Sequence, residues 1–177
     1  MSNPQQPGAE EVDKYKRETE ELKVFLHNFK EIDLDGQEQD KYMHQLQQVA
    51  NRRSRQVTIE LEDVYNNVGE EMAESIAKNT SRYRRLLADA IDLLMPEPTE
   101  RFGTMDTTDI LMAARQERSA ANTDAASSDS QQQVPPELLR RYAVHILPRH
   151  KMKAVPLREV KASAVGSLIT VKGIVTR

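Results

Sequence analysis

The chain has 177 residues, of which 38% are hydrophobic, enough for one ordinary domain and part of another. It has no cysteine, which excludes disulfides and thiolate metal sites, and no apolar run approaches the ~20 residues needed to cross a bilayer. The net charge of −3 conceals an asymmetry, because residues 1–134 carry 16 basic and 26 acidic side chains and residues 135–177 carry 9 and 2. We therefore expect the carboxy-terminal part to approach nucleic acid, and we predict no membrane partner.

The first two thirds of the chain have the pattern of a helical domain. Residues 1–10 are polar and predict a disordered tail, and residues 11–118 predict the helical domain itself. Within it, apolar side chains recur every three or four residues, as in amphipathic helices, over 12–30, 41–53 and 70–95, with a shorter helix over 106–114.

Two local signals add detail to this domain. Asn67 followed by Glu70 resembles a capping box at the start of the longest helix. Val57, Ile59 and Leu61 alternate with polar residues, which predicts a short strand between the second and third helices. The helical domain is therefore expected to contain one extended segment.

The last part of the chain changes character. Residues 119–134 are rich in Ala, Ser, Asp and Gln without periodicity, which predicts a flexible linker. Beyond the linker, alternating residues predict strands over 142–147 and over 168–174, the second with a bend at Gly173. Because the second strand needs pairing partners beyond Arg177, we expect this sequence to be a fragment of a longer protein.

Catalytic chemistry has no support in the sequence. The chain lacks the Gly-x-x-x-x-Gly-Lys-Ser/Thr loop that holds nucleotide phosphates, so no catalytic and no cofactor-binding residue is predicted. No metal site is predicted either, because the histidines are scattered and have no carboxylate at ligand spacing. We assign them to the surface or the core: His27, His44, His145 and His150.

Basic side chains supply the candidate site. The nucleic-acid-binding candidates are Arg158, Lys161, Lys172 and Arg177. Only Glu159 offsets them, and Tyr142 is the one aromatic residue after position 135. We therefore expect phosphate contacts rather than base stacking, with a basic linker of no such role as the alternative. The arginines at 52, 53 and 55 are assigned to a helix end, with phosphate contact or an import signal as the alternative. Those at 82, 84 and 85 are assigned to a solvated helix face or a subunit contact.

These residues also carry a family resemblance. Arg158-Glu-Val-Lys-Ala, followed by Val165-Gly-Ser-Leu-Ile-Thr-Val-Lys-Gly-Ile-Val-Thr-Arg177, resembles the start of the OB-type β-barrel of the minichromosome maintenance (MCM) replicative helicases. Three upstream runs are similar to the amino-terminal helical domain of that family: Lys41-Tyr-Met-His-Gln-Leu-Gln-Gln-Val-Ala-Asn-Arg52, Val57-Thr-Ile-Glu-Leu-Glu-Asp-Val64 and Pro135-Pro-Glu-Leu-Leu-Arg-Arg-Tyr142.

The resemblance implies a mainly α fold: a small helical bundle with a short extended segment, then the first strands of an incomplete OB-type barrel over 135–177. It implies part of a hexameric, ATP-dependent DNA helicase used in replication licensing and fork unwinding, located in the nucleus or in both nucleus and cytoplasm. Its partners would be other MCM subunits, DNA, and loading and activation factors. ATP and magnesium are implied for the whole protein only, because this segment lacks the ATPase motor, and zinc is implied only for an insert of the completed barrel. The alternative is a non-enzymatic nucleic-acid-binding or adaptor module with a helical docking domain.

Overall fold

The computed structural model describes residues 7–32, 36–100, 110–111, 114 and 140–175. The helices are α1 (Pro7–Asn28), α2 (Lys41–Ala50), α3 (Leu61–Asn67), α4 (Glu70–Lys78) and α5 (Thr80–Leu94). The strands are β1 (Glu31–Ile32), β2 (Glu38–Gln39), β3 (Gln56–Glu60), β4 (Ala143–Leu147), β5 (Val155–Pro156) and β6 (Val171–Lys172). The mainly α fold class is confirmed. In the described ranges, no helix combines the length and the apolar character of a membrane span.

The chain divides into two compact units, Met1–Glu97 with Tyr142–Arg177 and Pro98–Arg141. All the helices and strands named above belong to the first unit. Of the predicted 106–114 helix, residues 110, 111 and 114 are helical, and its remaining residues lie outside the described ones. The predicted linker lies wholly outside them.

The core takes buried side chains from all five helices and from β3 and β4, and α1 packs on α5 within it. Leu22 and Leu26 are one helical turn apart on α1 and are fully buried. They face the α5 stripe formed by Tyr83, Leu87 and Ile91, whose spacing of four residues places them on one face of that helix. Each fully buried leucine or isoleucine contributes roughly 1.5–3 kcal/mol relative to an exposed one. Most of the predicted apolar stripe of each helix therefore lies in the core, but Val12 of the stripe predicted for the first helix is 50% exposed.

The long helix predicted over 70–95 is interrupted. Asn79 adopts φ −134° and ψ 53°, which ends α4 and begins α5. The predicted capping box is also wrong. The residue at the start of α4 is Gly69, whose φ of +134° favours glycine, and no side chain caps that end. The side-chain amide of Asn67 instead donates to the Asp63 carbonyl within α3. This helix was not predicted, and its first residue, Leu61, was assigned to the preceding strand.

A later segment fills the interruption at Asn79. The Leu168 N–H donates to the Ala77 carbonyl over 2.8 Å, and the Ser81 N–H donates to the Gly166 carbonyl over 3.4 Å. Helix ends leave backbone groups without intrahelical partners, and these bonds satisfy one group on each side of the interruption. Leu168 also packs against the core. The predicted 168–174 strand is consequently shorter in the structure, where only Val171–Lys172 is extended and paired. Its partner is β5, which lies within the chain and not beyond Arg177 as expected.

The strands form three pairs. β1 and β2 are antiparallel, whereas β5 and β6 are parallel. The predicted strand over 142–147 is confirmed as β4, which runs parallel to β3 from Gln56↔Ala143 to Glu60↔Leu147. Val57, Ile59 and Val144 are buried along this pair. The carboxy-terminal basic segment is thus joined to the helical domain through a strand pair, and its assignment as the first strands of an incomplete OB-type barrel stays a prediction.

Candidate functional surface

One arginine of the basic carboxy-terminal part, Arg149, anchors this part to the helical domain. The guanidinium carbon of Arg149 lies 3.5 Å from the centroid of the Tyr65 ring, and its Nε lies 3.5 Å from Glu62 Oε2. The His150 N–H donates to the same Glu62 carboxylate over 3.3 Å. An arginine that stacks on an aromatic ring and pairs with a carboxylate is held in one place. Arg149 therefore fixes the chain after β4 to α3 and is not a leading candidate for phosphate contact.

Three predicted nucleic-acid-binding residues lie around the β5–β6 pair. Lys172 is opposite Pro156 in the strand register, and Arg158 follows Pro156 by two residues in a 3₁₀ turn. Lys161 immediately precedes the next 3₁₀ turn. The side chains of Arg158, Lys161 and Lys172 are all exposed. The fourth candidate, Arg177, lies outside the described residues.

This pair of short strands is attached to the helical domain. The Val155 N–H donates to the Thr170 carbonyl over 2.8 Å, which joins β5 to the segment that precedes β6. That segment is in turn bonded to α4 through Leu168 and Ala77. The three exposed cations are thus carried by a segment with defined backbone contacts. A fixed cationic surface loses less conformational freedom than a mobile tail when it binds a polyanion.

A polar network ties α2 to β3 and α3. Lys41 Nζ lies 2.9 Å from Glu60 Oε1 and 2.9 Å from Asp63 Oδ2, and Glu31 Oε1 is 3.7 Å away. Tyr42 Oη donates to Asp63 Oδ2 over 2.7 Å. Burial lowers the pKa of Lys41, but its hydrogen bonds to Glu60 and Asp63 outweigh burial and raise the pKa above its ordinary value. Lys41, Tyr42, Glu60 and Asp63 belong to the motifs that resemble the MCM family, and their contacts hold α2 against β3 and α3.

A second buried hydrogen bond joins α1 to α5. Tyr83 Oη donates to Glu18 Oε2 over 2.8 Å, and Glu18 is 9% exposed. Burial is the main cause that raises the pKa of Tyr83, and burial likewise raises the pKa of Tyr42. Both phenols are therefore held in the protonated form.

Because the pKa values of Tyr42 and Tyr83 are raised in the folded protein, we expect the protein to lose stability at alkaline pH. A folded-state pKa above the unfolded value of about 10 gives stability that is complete below pH 10. Above pH 10 the unfolded chain releases the phenolic proton while the folded chain retains it, so the free energy of unfolding falls. Urea unfolding between pH 8 and 11 should show this decline, and Tyr42→Phe with Tyr83→Phe should make it shallower. An unchanged slope in the double variant would contradict the assignment.

Metal chemistry gains no candidate from the geometry. Across the part of the chain that the structure describes, no three His, Asp or Glu side chains are grouped so that they could hold a metal ion.

Two contacts of this surface could not be predicted from the sequence. They are the stacking of Arg149 on the Tyr65 ring and the ion pair between Lys41 and Asp63. Each partner lies 22 or more residues away in sequence, and no local pattern marks such a pair.

The comparisons with known proteins agree with this architecture. The profile of the MCM N-terminal domain family matches residues 19–146, a range that runs from α1 into β4. The match covers well over half of the chain. The chain belongs to the MCM N-terminal domain family.

Named relatives refine this assignment. The chain is 41% identical over 157 residues to the DNA replication licensing factors MCM7 of Oryza sativa subsp. indica and Arabidopsis thaliana, which covers 88% of the chain and 21% of each relative. It is 36% identical over 165 residues to mcm7 of Xenopus tropicalis, covering 92% of the chain and 23% of the relative. The upstream motifs quoted above also fit the seventh subunit of the eukaryotic complex, in agreement with these names. The chain spans about a fifth of the length of these relatives.

Proposed function

We propose that this chain is part of a subunit of the replicative MCM helicase and acts in DNA replication licensing, in the nucleus. The observation that carries the proposal is the family match over residues 19–146, together with 41% identity to proteins named as licensing factors. In this proposal the helical domain contacts other MCM subunits and loading factors. The unwinding activity, with its ATP, magnesium and zinc, belongs to the rest of a longer protein.

Co-purification tests membership of the complex. The tagged chain, extended by whatever coding sequence follows it in its source, should co-purify with the other MCM subunits when they are expressed together. Recovery of the tagged protein alone would contradict the proposal. It would favour the alternative of a separate nucleic-acid-binding or adaptor module.

The finer proposal is that Arg158, Lys161 and Lys172 contact DNA phosphates. Its support is their exposure and their common position around β5 and β6. In residues 140–175 the only acidic side chain is Glu159. Phosphate contacts of this kind give an affinity that depends steeply on salt and little on base sequence.

Fluorescence anisotropy with a labelled oligo-dT strand tests this surface in the 177-residue chain. Replacing Arg158, Lys161 and Lys172 together by alanine should weaken binding and reduce the slope of log K against log salt concentration by roughly 2. The matched control loses the same charge from three exposed lysines elsewhere: Lys16, Lys30 and Lys78. Equal losses in both triple variants would show that net charge, and not this surface, governs binding.

A further inference from the structure

Two adjoining clefts run along the side of α1 that faces the turn between α3 and α4. One, of about 710 Å³, lies beside Gly69 and the first turn of α4. The other, of about 580 Å³, continues toward the end of α1 near Asn28. Glu21 and Val68 line both. The clefts therefore form one continuous groove, which we call the α1 groove.

The floor of the α1 groove is partly apolar. Val24 is 57% exposed although it lies on the same helix as the core residue Phe25. Val68 and Phe29 are only partly buried and pack against the edge of the core. Within the described residues, these three apolar side chains remain partly exposed, so a partner could contact them. A partner that binds here needs apolar side chains of its own.

The walls of the α1 groove are acidic. Five carboxylates and two cations line it: Glu18, Glu20, Glu21, Glu70, Glu71, Lys14 and Arg17. Within the described residues, Glu21, Glu70 and Glu71 have no ion-pair partner. Lys14 is engaged by Glu18 at 3.6 Å, so it does not offset the other carboxylates. Glu20 is likewise paired with Lys23 at 3.3 Å, and Arg17 offsets one of the three unpaired carboxylates. The groove thus keeps a net negative charge beside exposed apolar side chains.

We propose that the α1 groove binds a basic amphipathic helix of another protein. The apolar face of such a helix would lie on Val24 and Val68, and its lysines or arginines would pair with Glu21 and Glu71. From Lys14 to Asn28 the groove follows α1 for roughly 21 Å, at about 1.5 Å per residue. A helix of about 14 residues matches that length. Apolar anchors framed by opposite charge are the usual recognition mode of a helix in a groove.

This proposal and the DNA-contact proposal concern different residues, so one can fail without the other. The acidic groove repels DNA phosphates, and the cations around β5 and β6 repel a basic helix. The α1 groove also needs no residue from outside the described ranges. Its occupant is identified by charge and amphipathic pattern alone.

The probe is a fluorescein-labelled 14-residue peptide of leucine and lysine, with leucines at i, i+3, i+4 and i+7 spacing. It should bind the 177-residue chain and shift amide NMR signals of residues 20–28 and 67–71. Glu21→Gln with Glu71→Gln should weaken binding about tenfold, as expected for two lost interface charge pairs. Val24→Ser should also weaken binding. Because Glu21, Val24 and Glu71 are exposed, these variants should fold normally.

Matched controls separate the groove from general acidity. Glu97→Gln with Glu159→Gln removes the same charge from exposed positions outside the groove and should leave binding unchanged. Equal weakening in this control, equal binding of a scrambled leucine–lysine peptide, or NMR shifts elsewhere would each overturn the proposal. A dimer of the chain that Val24→Ser abolishes would also overturn it, because a second copy would then be the occupant.

Discussion

Asp63→Ala is expected to lower the free energy of unfolding by about 2–3 kcal/mol. Asp63 accepts hydrogen bonds from Lys41 Nζ at 2.9 Å and from Tyr42 Oη at 2.7 Å, and its side chain is only 15% exposed. Its removal leaves the buried Tyr42 hydroxyl without its carboxylate acceptor and weakens the charge balance around Lys41. Losing hydrogen bonds to a largely buried charge has a cost of this size. Urea unfolding followed by circular dichroism would measure it.

The matched control is Glu31→Ala. Glu31 lies 3.7 Å from the same Lys41 nitrogen, but its side chain is 57% exposed, so the change should be under about 0.5 kcal/mol. A double-mutant cycle of Asp63→Ala with Lys41→Met would isolate the energy of that single pair. Equal effects of the two alanine substitutions would mean that the network contributes no more than an exposed ion pair.

Leu26→Ala is expected to lower the free energy of unfolding by about 3 kcal/mol. The side chain is fully buried in the core, so its removal loses apolar burial and leaves a cavity there. Val24→Ala, two residues away on the same helix, is the control because Val24 is 57% exposed. Its effect should stay within about 0.5 kcal/mol.

Urea unfolding of the two variants tests which face of α1 packs in the core. If Leu26→Ala and Val24→Ala destabilise the protein equally, α1 does not pack on α5 through the face that the structure gives it. The slope of the unfolding free energy against urea should be unchanged in both variants, which would show that only stability was altered.

The helices could be predicted from sequence because their apolar stripes are local and repeat every three or four residues. A spacing of four residues is enough to place two side chains on one helix face, whatever that face packs against. Examples are Leu22 with Leu26 and Leu87 with Ile91, all of them buried. The interruption at Asn79 could not be predicted in the same way. The stripe continues through it, and the bonds that occupy it come from Gly166 and Leu168, far along the chain.

The sequence predicts which basic residues form the candidate surface, but not the contacts that position them. Excess positive charge marked Arg158, Lys161 and Lys172 as candidates, and charge can be counted without a structure. The role of Arg149 depends on Tyr65, which lies on a helix 84 residues earlier. Sequence alone also gave no partner for β4, since alternation indicates a strand but not the strand that it pairs with.

The parallel pairing of β3 with β4 has a consequence for synthesis of the protein. Paired residues such as Glu60 and Leu147 are 87 positions apart, so at about 5–20 residues per second β4 emerges roughly 4–17 s after β3. One edge of β3 is closed locally meanwhile, because Gln45 bonds both the N–H and the carbonyl of Thr58. The other edge stays open until β4 arrives. A ribosome that stalls between the two strands would therefore present helices with an unpaired, aggregation-prone strand edge to the chaperones of the cell.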